Sequence, residues 1–359
     1  MDFSSFYSKR FQRVYIEEGV EDRKLIDRIT LKLPDAEYYQ VQGKDNIPEP
    51  HRNAATLFLT QGTGQMMVDR CPGTTGHLCC NYLTVNLYMG CTIGCTYCIM
   101  QWYLNFEPIT VFTDSKRGIG RLKQIAENNP DVLIRAGTGE VGDSLLYDPL
   151  CDLSRSYIEA FAGLNNMFFE LKTKTDFVDH LLEIPVKGNA VIAFSLNPEE
   201  LVEKEEPEAV SVRRRLAAAK RAVDAGYNLA FHFDPIIYSP DWEKAYADVA
   251  EQLGDFPAEK IVWISLGTVR YPVELKEKMG DRPYLYDEFV RGRDGKFRYL
   301  QVKRIGMYRM MVDALRNAGV EAPLYFCMES STVWRAVFGG LPGELPELKT
   351  VFTPCLIPE

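Results

Sequence analysis

Short apolar segments alternate with amphipathic segments through the middle of this chain. The apolar segments are typical of strands buried on both faces, and the amphipathic segments are typical of helices. In the segment Val210–Ala225, Val212, Leu216, Ala219 and Val223 recur at helical spacing, and Gly226 follows where a helix-ending glycine is common. The predicted strands are Leu83–Met89, Val132–Ala136, Met167–Lys172, Ala190–Leu196, Asn228–Phe233 and Ile261–Leu266. The predicted helices are Gly118–Glu127, Leu150–Phe161, Asp176–Leu182, Val210–Ala225 and Trp242–Gln252.

Six successive β/α units predict parallel strands joined by right-handed crossovers. Because a complete barrel of this kind has eight units, we predict an α/β fold with an incomplete (β/α)6 TIM-like barrel over residues 81–267. Residues 1–80 predict an N-terminal α/β extension, and residues 268–359 predict a C-terminal α/β cap that closes the barrel or covers the substrate. In the extension we expect strands at Phe11–Ile16, Glu37–Val41 and Leu57–Thr60 and a helix at Gly19–Leu33; in the cap, a helix at Tyr299–Ala318 and a strand at Leu324–Cys327.

The composition narrows the class of protein. With 46% hydrophobic and 25% charged residues in 359, the chain is typical of a folded globular protein. No apolar run approaches the roughly 18 residues of a membrane span, and the first residues lack the pattern of a secretory signal. We therefore expect no membrane partner and a reducing, cytoplasmic location, where the nine cysteines bind metal or stay buried as thiols.

The net charge limits the kinds of partner that the protein can bind. The net charge of −9 argues against general affinity for nucleic acid, because phosphate binding needs clustered cations. The densest cationic run is Arg213–Arg215, followed by Lys220 and Arg221, and we interpret it as the solvated face of a helix.

Three cysteines directly follow the first predicted barrel strand. Cys91, Cys95 and Cys98 have C-x3-C-x2-C spacing, and three thiolates on one loop suit a 4Fe–4S cluster with one iron left open for chemistry. The alternative is zinc, which would need a fourth ligand from elsewhere. The chain has no second C-x2-C pair, and none of its four histidines lies in the loop. The spacing therefore favours an iron–sulfur cluster, at the barrel end where active sites lie.

The cysteine loop resembles that of the radical SAM enzymes, and further segments resemble the spore photoproduct lyase family over most of residues 13–270. These segments are Arg13–Glu18, Asn197–Glu199, the helix Arg215–Gly226 with Tyr227–Phe231 after it, Asp234–Tyr238 and Trp242–Tyr246. The resemblance implies an enzyme that binds S-adenosyl-L-methionine (SAM) at a 4Fe–4S cluster, cleaves it reductively to a 5'-deoxyadenosyl radical and abstracts hydrogen from its substrate. In the family that substrate is a thymine photoproduct in DNA. The implied partners are DNA and an electron donor such as flavodoxin or ferredoxin.

The resemblance also implies roles for individual residues. Gly137, Thr138, Gly139 and Glu140 end the second predicted strand and match the segment that takes the methionine end of SAM. Glycines let backbone approach a ligand closely, and a carboxylate can accept from the ligand's ammonium; the alternative is a tight turn with a solvated glutamate. Further matches are Tyr97 as a catalytic tyrosine, Lys174, Ser195 and Asn197 as SAM contacts, and Asp234 near the adenine. A surface lysine, a turn or a helix cap would explain the same residue types.

Two departures from the family pattern affect the predicted reaction. Gly137 stands where the family has the cysteine that returns hydrogen to the substrate radical, and Ile99 replaces one of two tyrosines near the cluster. The final hydrogen transfer therefore needs another source, or the substrate differs. The alternatives are a radical SAM enzyme acting on another nucleotide, a peptide or a small molecule, and a metal-dependent nucleic-acid binding module without turnover. Arg270 and Tyr271 match a segment near the family's lesion pocket, where an arginine can grip a phosphate or carboxylate.

Six cysteines lie outside this loop. Cys71, Cys79 and Cys80 lie with His77 within ten residues, just before the first barrel strand. They are compatible with a thiol donor, a second metal site or simple packing. Neighbouring side chains of an extended chain point in opposite directions, so we do not expect Cys79 and Cys80 to ligate one ion together. Cys151, Cys327 and Cys355 belong to no motif and are interpreted as structural.

Overall fold

The structure, a computed structural model, describes residues 3–63, 67–74, 76–103 and 107–357. The described strands are β1 (Arg13–Glu17), β2 (Glu37–Val41), β3 (Thr56–Thr60), β4 (Val68–Arg70), β5 (Leu83–Val85), β6 (Tyr88–Met89), β7 (Ile109–Phe112), β8 (Ile134–Thr138), β9 (Met167–Thr173), β10 (Ala190–Ser195), β11 (Asn228–Ile236), β12 (Ile261–Thr268), β13 (Arg270–Tyr271), β14 (Phe289–Arg291), β15 (Phe297–Tyr299) and β16 (Leu324–Phe326). The described α-helices are α1 (Phe3–Ser8), α2 (Arg23–Lys32), α3 (Met100–Tyr103), α4 (Ser115–Glu127), α5 (Asp148–Cys151), α6 (Leu153–Phe161), α7 (Asp179–Leu182), α8 (Glu199–Glu205), α9 (Val212–Asp224), α10 (Trp242–Glu251), α11 (Val273–Met279), α12 (Gln301–Asn317), α13 (Ser331–Phe338) and α14 (Lys349–Phe352).

The N-terminal residues build a five-stranded sheet in the order β2-β1-β3-β7-β6. Its first four strands are parallel, as the α/β pattern predicts, and β6 runs antiparallel to β7. Helix α2 begins where the Asp22 side chain accepts from the backbone N–H of Leu25 (3.0 Å), and it buries Leu25 and Ile29. Because β6 and β7 come from residues 88–112, this sheet continues beyond residue 80; the proposed division into three regions stays a prediction.

The second sheet is the incomplete TIM-like barrel, with strand order β16-β12-β11-β10-β9-β8-β5-β4. All six predicted barrel strands form, and each pairs in parallel with its neighbour. β16, predicted as Leu324–Cys327, adds a seventh parallel strand beside β12, and β4 pairs antiparallel with β5 at the other edge. The C-terminal region therefore extends the barrel sheet. Its role in closing the barrel or covering the substrate stays a prediction.

Two predicted elements differ from the structure. The segment Leu83–Met89 was expected to be one strand, but β5 belongs to the barrel and β6 to the N-terminal sheet. The chain changes sheets at Asn86, whose N–H donates to the carbonyl of Met67 outside the strand ladders. The predicted helix Leu150–Phe161 is split into α5 and α6 because Asp152 takes a left-handed conformation (φ 59°).

The barrel curls until strands far apart in the sheet touch. Arg135 on β8 donates to the hydroxyl of Tyr325 on β16 (2.9 Å), and its guanidinium lies 4.1 Å from the ring of Trp263 on β12. Within the barrel, Glu170 accepts from the indole of Trp263 (3.0 Å) and bonds the His232 ring (2.7 Å). The barrel interior therefore contains paired charges as well as apolar side chains.

A small antiparallel sheet, β13-β15-β14, lies beside the barrel mouth. Arg298 and Asp294 in its hairpin form a buried bidentate pair (2.6 and 2.7 Å), and Thr74 donates to the same carboxylate (2.7 Å). These bonds attach the hairpin to the segment that precedes β5. No helix within the described ranges is both long and apolar enough to span a bilayer.

Candidate active site

The loop with Cys91, Cys95 and Cys98 lies at the mouth of the barrel. Gly90 and Gly94 adopt positive φ angles (96° and 74°), which let the chain turn tightly around the cysteines. The loop is tied to the last residue of α8 and to the segment after it: the N–H of Thr96 donates to the carbonyl of Glu205 (2.9 Å), and the N–H of Glu208 donates to that of Ile93 (3.1 Å). The cysteines are thereby fixed against the barrel, although the loop itself follows β6 rather than the barrel strand β5.

The sulfur atoms of this loop face hydrogen-bond donors. The backbone N–H of Ile93 points at Cys91, and those of Met100 and Gln101 point at Cys98. Burial raises the pKa of the Cys91 thiol well above its ordinary value and raises that of Cys98 as well. The ligand-free thiols are therefore protonated at neutral pH, and a bound metal would displace their protons.

The three thiols of this loop offer the donor set of a cluster rather than that of a single ion. Among the described residues, the group of three potential ligands whose atoms all lie within 4.8 Å is Asp148, Asp152 and His180; the three cysteines form no such group. Tetrahedral zinc with bonds of about 2.3 Å needs sulfurs only about 3.8 Å apart. A four-iron cluster binds each thiolate through a different iron, and three thiols on one loop are a donor set that it takes, so these residues fit that group.

The side chains of Asp148, Asp152 and His180 already have protein partners. His180 bonds Asp148 (2.6 Å), while Asp152 pairs with Arg155 (3.0 Å) and Arg28 (3.5 Å). The His180 ring and the two guanidinium groups therefore occupy the places that a cation would take.

Glu206 contacts three of the predicted site residues, Tyr97, Lys174 and Asn197, and the sequence did not single it out. One carboxylate oxygen accepts from the Tyr97 hydroxyl and from the Asn197 amide (3.0 Å), and Lys174 lies 3.6 Å from the same oxygen. The other oxygen accepts from Arg215 (2.5 Å). Burial alone would raise the pKa of Glu206, but Lys174 and Arg215 outweigh it and hold the pKa at about 2. The carboxylate is therefore ionised at neutral pH.

Ser195, Asn197 and Tyr97 are positioned through this group. Both polar atoms of the Asn197 amide have protein partners, because its oxygen accepts from the Tyr246 hydroxyl (2.7 Å). Arg215 also donates to the carbonyl of Ser195 at the end of β10 (2.8 Å). Arg215 is fully buried, so our interpretation of the whole run 213–215 as a solvated face was wrong for this residue.

The turn Thr138–Glu140 lies at the end of β8, as predicted. Gly139 has φ 96°, and a Cβ there would lie 3.1 Å from the Ser144 hydroxyl. Thr138 donates to that hydroxyl, which also accepts from the N–H of Lys172 (2.8 Å). Glu140 is half-buried and interacts electrostatically with Lys172. The turn therefore presents backbone and one carboxylate to the barrel mouth.

Gly137 has no room for a side chain. A Cβ at this position would lie 2.1 Å from the Tyr82 hydroxyl and 2.4 Å from the carbonyl oxygen of Glu170. Both distances are far below van der Waals contact, so Tyr82 fills the space that a residue with a side chain would need. Tyr82 is bonded in turn to the Glu170 carboxylate.

Asp234 and Arg270 bind each other. Two guanidinium nitrogens of Arg270 each lie 2.9 Å from an oxygen of Asp234. A Cβ at Gly267 would lie 2.5 Å from the Asp234 carboxylate, so the pair depends on that glycine. Burial alone would raise the pKa of Asp234, but Arg270 lowers it overall. The guanidinium that we expected to grip a ligand anion already has a carboxylate partner.

The structure thus brings Tyr97, Lys174, Ser195 and Asn197 together beside the cysteine loop, with the Gly137–Glu140 turn on a nearby strand. Asp234 lies in the barrel mouth, but its carboxylate forms an ion pair with Arg270. Sequence reasoning missed Glu206 and Tyr82. Glu206 lies in the acidic stretch 199–208, where nothing distinguishes it from solvated neighbours, and Tyr82 belongs to no motif.

Comparison with known proteins gives one consistent family. A family model described as spore photoproduct lyase matches residues 76–284, more than half of the 359 residues. Curated proteins named spore photoproduct lyase from Geobacillus sp. (strain Y412MC61) and Bacillus subtilis (strain 168) are 27% and 26% identical over 170 and 165 residues. These matches cover 47% and 46% of this chain and 50% and 48% of the relatives. The chain therefore spans about half the length of the curated relatives it matches.

Solved structures agree on the fold. A spore photoproduct lyase mutant with bound AdoMet and dinucleoside spore photoproduct matches with a TM-score of 0.74 at 22% identity, covering 89% of this chain and 99% of that one. A spore photoproduct lyase complexed with dinucleoside spore photoproduct matches with the same TM-score and coverage at 20% identity. With the family model matching more than half of its length, the chain belongs to the spore photoproduct lyase family.

Proposed function

We propose that this chain is a radical SAM enzyme of the lyase type, with a 4Fe–4S cluster on Cys91, Cys95 and Cys98 and SAM in the barrel mouth. The observation that carries the proposal is the set of three thiols on one braced loop, Cys91, Cys95 and Cys98, with an ionised Glu206 network beside it. When bound, the cluster supplies the electron that cleaves SAM to a 5'-deoxyadenosyl radical for hydrogen abstraction. An electron donor such as flavodoxin or ferredoxin would reduce it.

The Gly137–Glu140 turn and Lys174 would bind the methionine end of SAM. The backbone at Gly139 is open to close approach, and the half-buried Glu140 can accept from the ligand's ammonium. Lys174, 3.6 Å from Glu206, is oriented by that carboxylate and can donate to the ligand's carboxylate. These contacts would hold SAM in one orientation against the cysteine loop.

Tyr97, Ser195, Asn197 and Asp234 would complete the site from the other strands. Burial first, and then the neighbouring Glu206, raise the pKa of the Tyr97 phenol well above its ordinary value, so it stays protonated. Because the Asn197 amide already bonds Glu206 and Tyr246, we assign it mainly a positioning role for Tyr97. Asp234 would contribute by holding Arg270 at the rim of the mouth.

The lead substrate is a thymine photoproduct in DNA, which makes DNA a partner. Support comes from the family and from a similar fold that is known in complex with dinucleoside spore photoproduct. Each curated relative is matched over only about half its length, and the net charge is −9. The substrate assignment therefore depends on a direct assay.

A different substrate for the same radical chemistry is the second candidate, and one observation favours it. The space at Gly137, where the family's hydrogen-donor cysteine is expected, is filled by the Tyr82 hydroxyl. A reaction in which the substrate radical forms a new bond would need no thiol at this position. Another nucleotide, a peptide or a small molecule would then be the substrate.

The test is an anaerobic assay with reconstituted protein, dithionite, SAM and DNA irradiated in the dry state. Thymine restored from the photoproduct, together with 5'-deoxyadenosine above the level seen with undamaged DNA, would support the lead substrate. 5'-Deoxyadenosine formed equally with damaged and undamaged DNA, without restored thymine, would contradict it and favour the second candidate. A Cys95→Ala variant is the control for both products.

A further inference from the structure

A cavity of about 530 Å³ opens at the end of the barrel opposite the cysteine loop. Most of the residues that line it lie in or just before the first residues of β8, β9, β12 and β16. We propose that this cavity binds guanine, as the free base or as a nucleoside. The site is separate from the barrel mouth and does not depend on the proposed function.

Arg135 borders this cavity and has donors to spare. The residue is only 3% exposed, and its Nη2 donates to the Tyr325 hydroxyl (2.9 Å). Its Nε and Nη1 are buried and have no hydrogen-bond partner among the residues that the structure describes. Buried N–H groups without a partner are costly, so a ligand that brings an acceptor to this guanidinium gains by removing that cost.

Aromatic rings hold the guanidinium in place. Its carbon lies 4.1 Å from the centre of the Trp263 ring and 4.9 Å from that of the Tyr325 ring. These contacts stabilise the cation through the ring faces and use none of its lone-pair acceptors. Arg135 is therefore a fixed donor at the inner end of the cavity.

The walls of the cavity are apolar and partly aromatic. They include Leu133, Phe168, Pro323 and Val351. The ring of Phe168 stands nearly perpendicular to that of Trp263 (81°), with 5.5 Å between their centroids. Such walls suit a flat heteroaromatic ring, which has apolar faces and carries its polar atoms on its edges. The volume is also that of a small-ligand site, which spans roughly 300–1,000 Å³.

Two exposed carboxylates border the same cavity. Glu259 precedes β12 and Glu321 precedes β16, and these two strands pair in parallel, so the glutamates approach the cavity from neighbouring segments. A simple anion would meet their negative charge on its way to Arg135. A ligand with acceptors on one edge and donors on another can use both kinds of side chain.

Guanine carries this combination of edges. Arginine commonly donates to its O6 and N7 together, and a carboxylate can accept from its N1–H and 2-amino groups. Adenine places an amino donor beside N7, where it would oppose the guanidinium, and thymine has no amino group to offer the glutamates. We therefore assign Arg135 to the O6/N7 edge and Glu259 or Glu321 to the amino edge.

Equilibrium dialysis of the full chain, reconstituted with iron and sulfide, against guanosine tests the proposal. We expect about one molecule bound per chain, about tenfold weaker binding of inosine, which lacks the 2-amino group, and no binding of thymidine. No saturable binding of guanosine would overturn the proposal. Tighter binding of benzoate or inorganic phosphate than of guanosine would overturn it too, since the site would then be one for anions.

Variants at the exposed rim locate the binding without disturbing the barrel interior. Glu259→Ala/Glu321→Ala should weaken guanosine binding about tenfold and remove the preference over inosine. Ala258→Trp, at an exposed position that lines the cavity, should abolish binding by filling the entrance. Glu251→Ala, exposed and outside the cavity, is the matched control and should bind as the parent does.

Guanosine bound equally by the parent and by Ala258→Trp would place the binding elsewhere and overturn the assignment. The result is independent of the radical chemistry. A chain that binds guanosine in this cavity but forms no 5'-deoxyadenosine would contradict the proposed function and leave this inference intact.

Discussion

Arg215 and Glu206 form an ion pair whose side chains have no exposed surface, with 2.5 Å between Arg215 Nη2 and Glu206 Oε2. The pair lies next to the cysteine loop, because the other oxygen of Glu206 accepts from Tyr97. A buried carboxylate is costly unless its charge and lone pairs are matched, and here Arg215, Lys174, Tyr97 and Asn197 match them. The arrangement therefore couples the stability of the barrel to the geometry of the candidate site.

Glu206→Gln should destabilise the protein. The pKa of Glu206 is about 2 in the folded state against an ordinary 4.5, a difference of about 3 kcal/mol in favour of the ionised folded form at neutral pH. Urea unfolding at pH 7 should therefore give the variant a free energy of unfolding that is lower than the parent's by about 3 kcal/mol. Glu203→Gln, at an exposed position of α8, is the matched control and should change stability little.

The pH dependence of the same variant gives a separate prediction. Because the folded pKa is depressed, the stabilisation is complete above about pH 4.5 and is lost as the pH falls from there towards about 2. The difference between parent and variant should therefore be constant from pH 8 to 5 and should shrink below 4.5. Urea unfolding of the metal-free protein at several pH values measures this. If the difference in free energy of unfolding between parent and variant were as large at pH 3 as at pH 7, the depressed pKa of Glu206 would be contradicted.

The barrel could be predicted because its alternation of apolar and amphipathic segments is repeated along the chain. Six short apolar segments alternate with amphipathic ones, and each contributes a strand to the parallel sheet, the first of them only through its residues Leu83–Val85. The sheet change at Asn86 was not predictable, because Leu83–Met89 reads as one apolar run and only tertiary pairing divides it. The break at Asp152 likewise reflects a single left-handed residue within an otherwise helical pattern.

Gly137→Cys should destabilise the protein. The new Cβ would meet the Tyr82 hydroxyl at 2.1 Å and the backbone oxygen of Glu170 at 2.4 Å, and backbone cannot move aside cheaply. Overpacking of this kind costs about 1–3 kcal/mol. Thermal unfolding should show a lower midpoint, and Tyr82→Phe in the same chain should recover part of the loss.

Gly120→Cys is the matched control for this variant, since a Cβ on Gly120 in α4 meets no atom within 4 Å. Its midpoint should stay near that of the parent. Equal midpoints for Gly137→Cys and Gly120→Cys would show that position 137 has room for a thiol.

Gly267→Ala should separate Asp234 from Arg270. The added methyl would lie 2.5 Å from the Asp234 carboxylate and 2.8 Å from Arg270 Nη1, so the bidentate pair cannot keep its geometry. We expect a loss of about 1–3 kcal/mol in urea unfolding. Gly306→Ala in α12, where nothing lies within 4 Å, should instead stabilise by up to about 1 kcal/mol. If Gly306→Ala were less stable than Gly267→Ala, the close packing of Gly267 against the Asp234–Arg270 ion pair would be contradicted.

The candidate site was only partly predictable. The spacing of Cys91, Cys95 and Cys98 predicts a metal-binding loop without any structure, because ligands close in sequence leave a motif. The roles of Glu206 and Tyr82 depend on contacts between distant segments. A single sequence carries no local signal for such contacts. The same limit applies to Asp234, whose partner Arg270 lies on another strand.

The most direct test of the account is 5'-deoxyadenosine formation by the protein reconstituted anaerobically with iron and sulfide, then given dithionite and SAM. We predict formation of 5'-deoxyadenosine and methionine by the parent chain, and none by Cys98→Ala with iron restored under the same conditions. The Cys151→Ala variant, changed at a buried cysteine outside the site, should behave as the parent. An iron-loaded parent chain that forms no 5'-deoxyadenosine, or a Cys98→Ala variant that forms as much as the parent, would contradict the central claim.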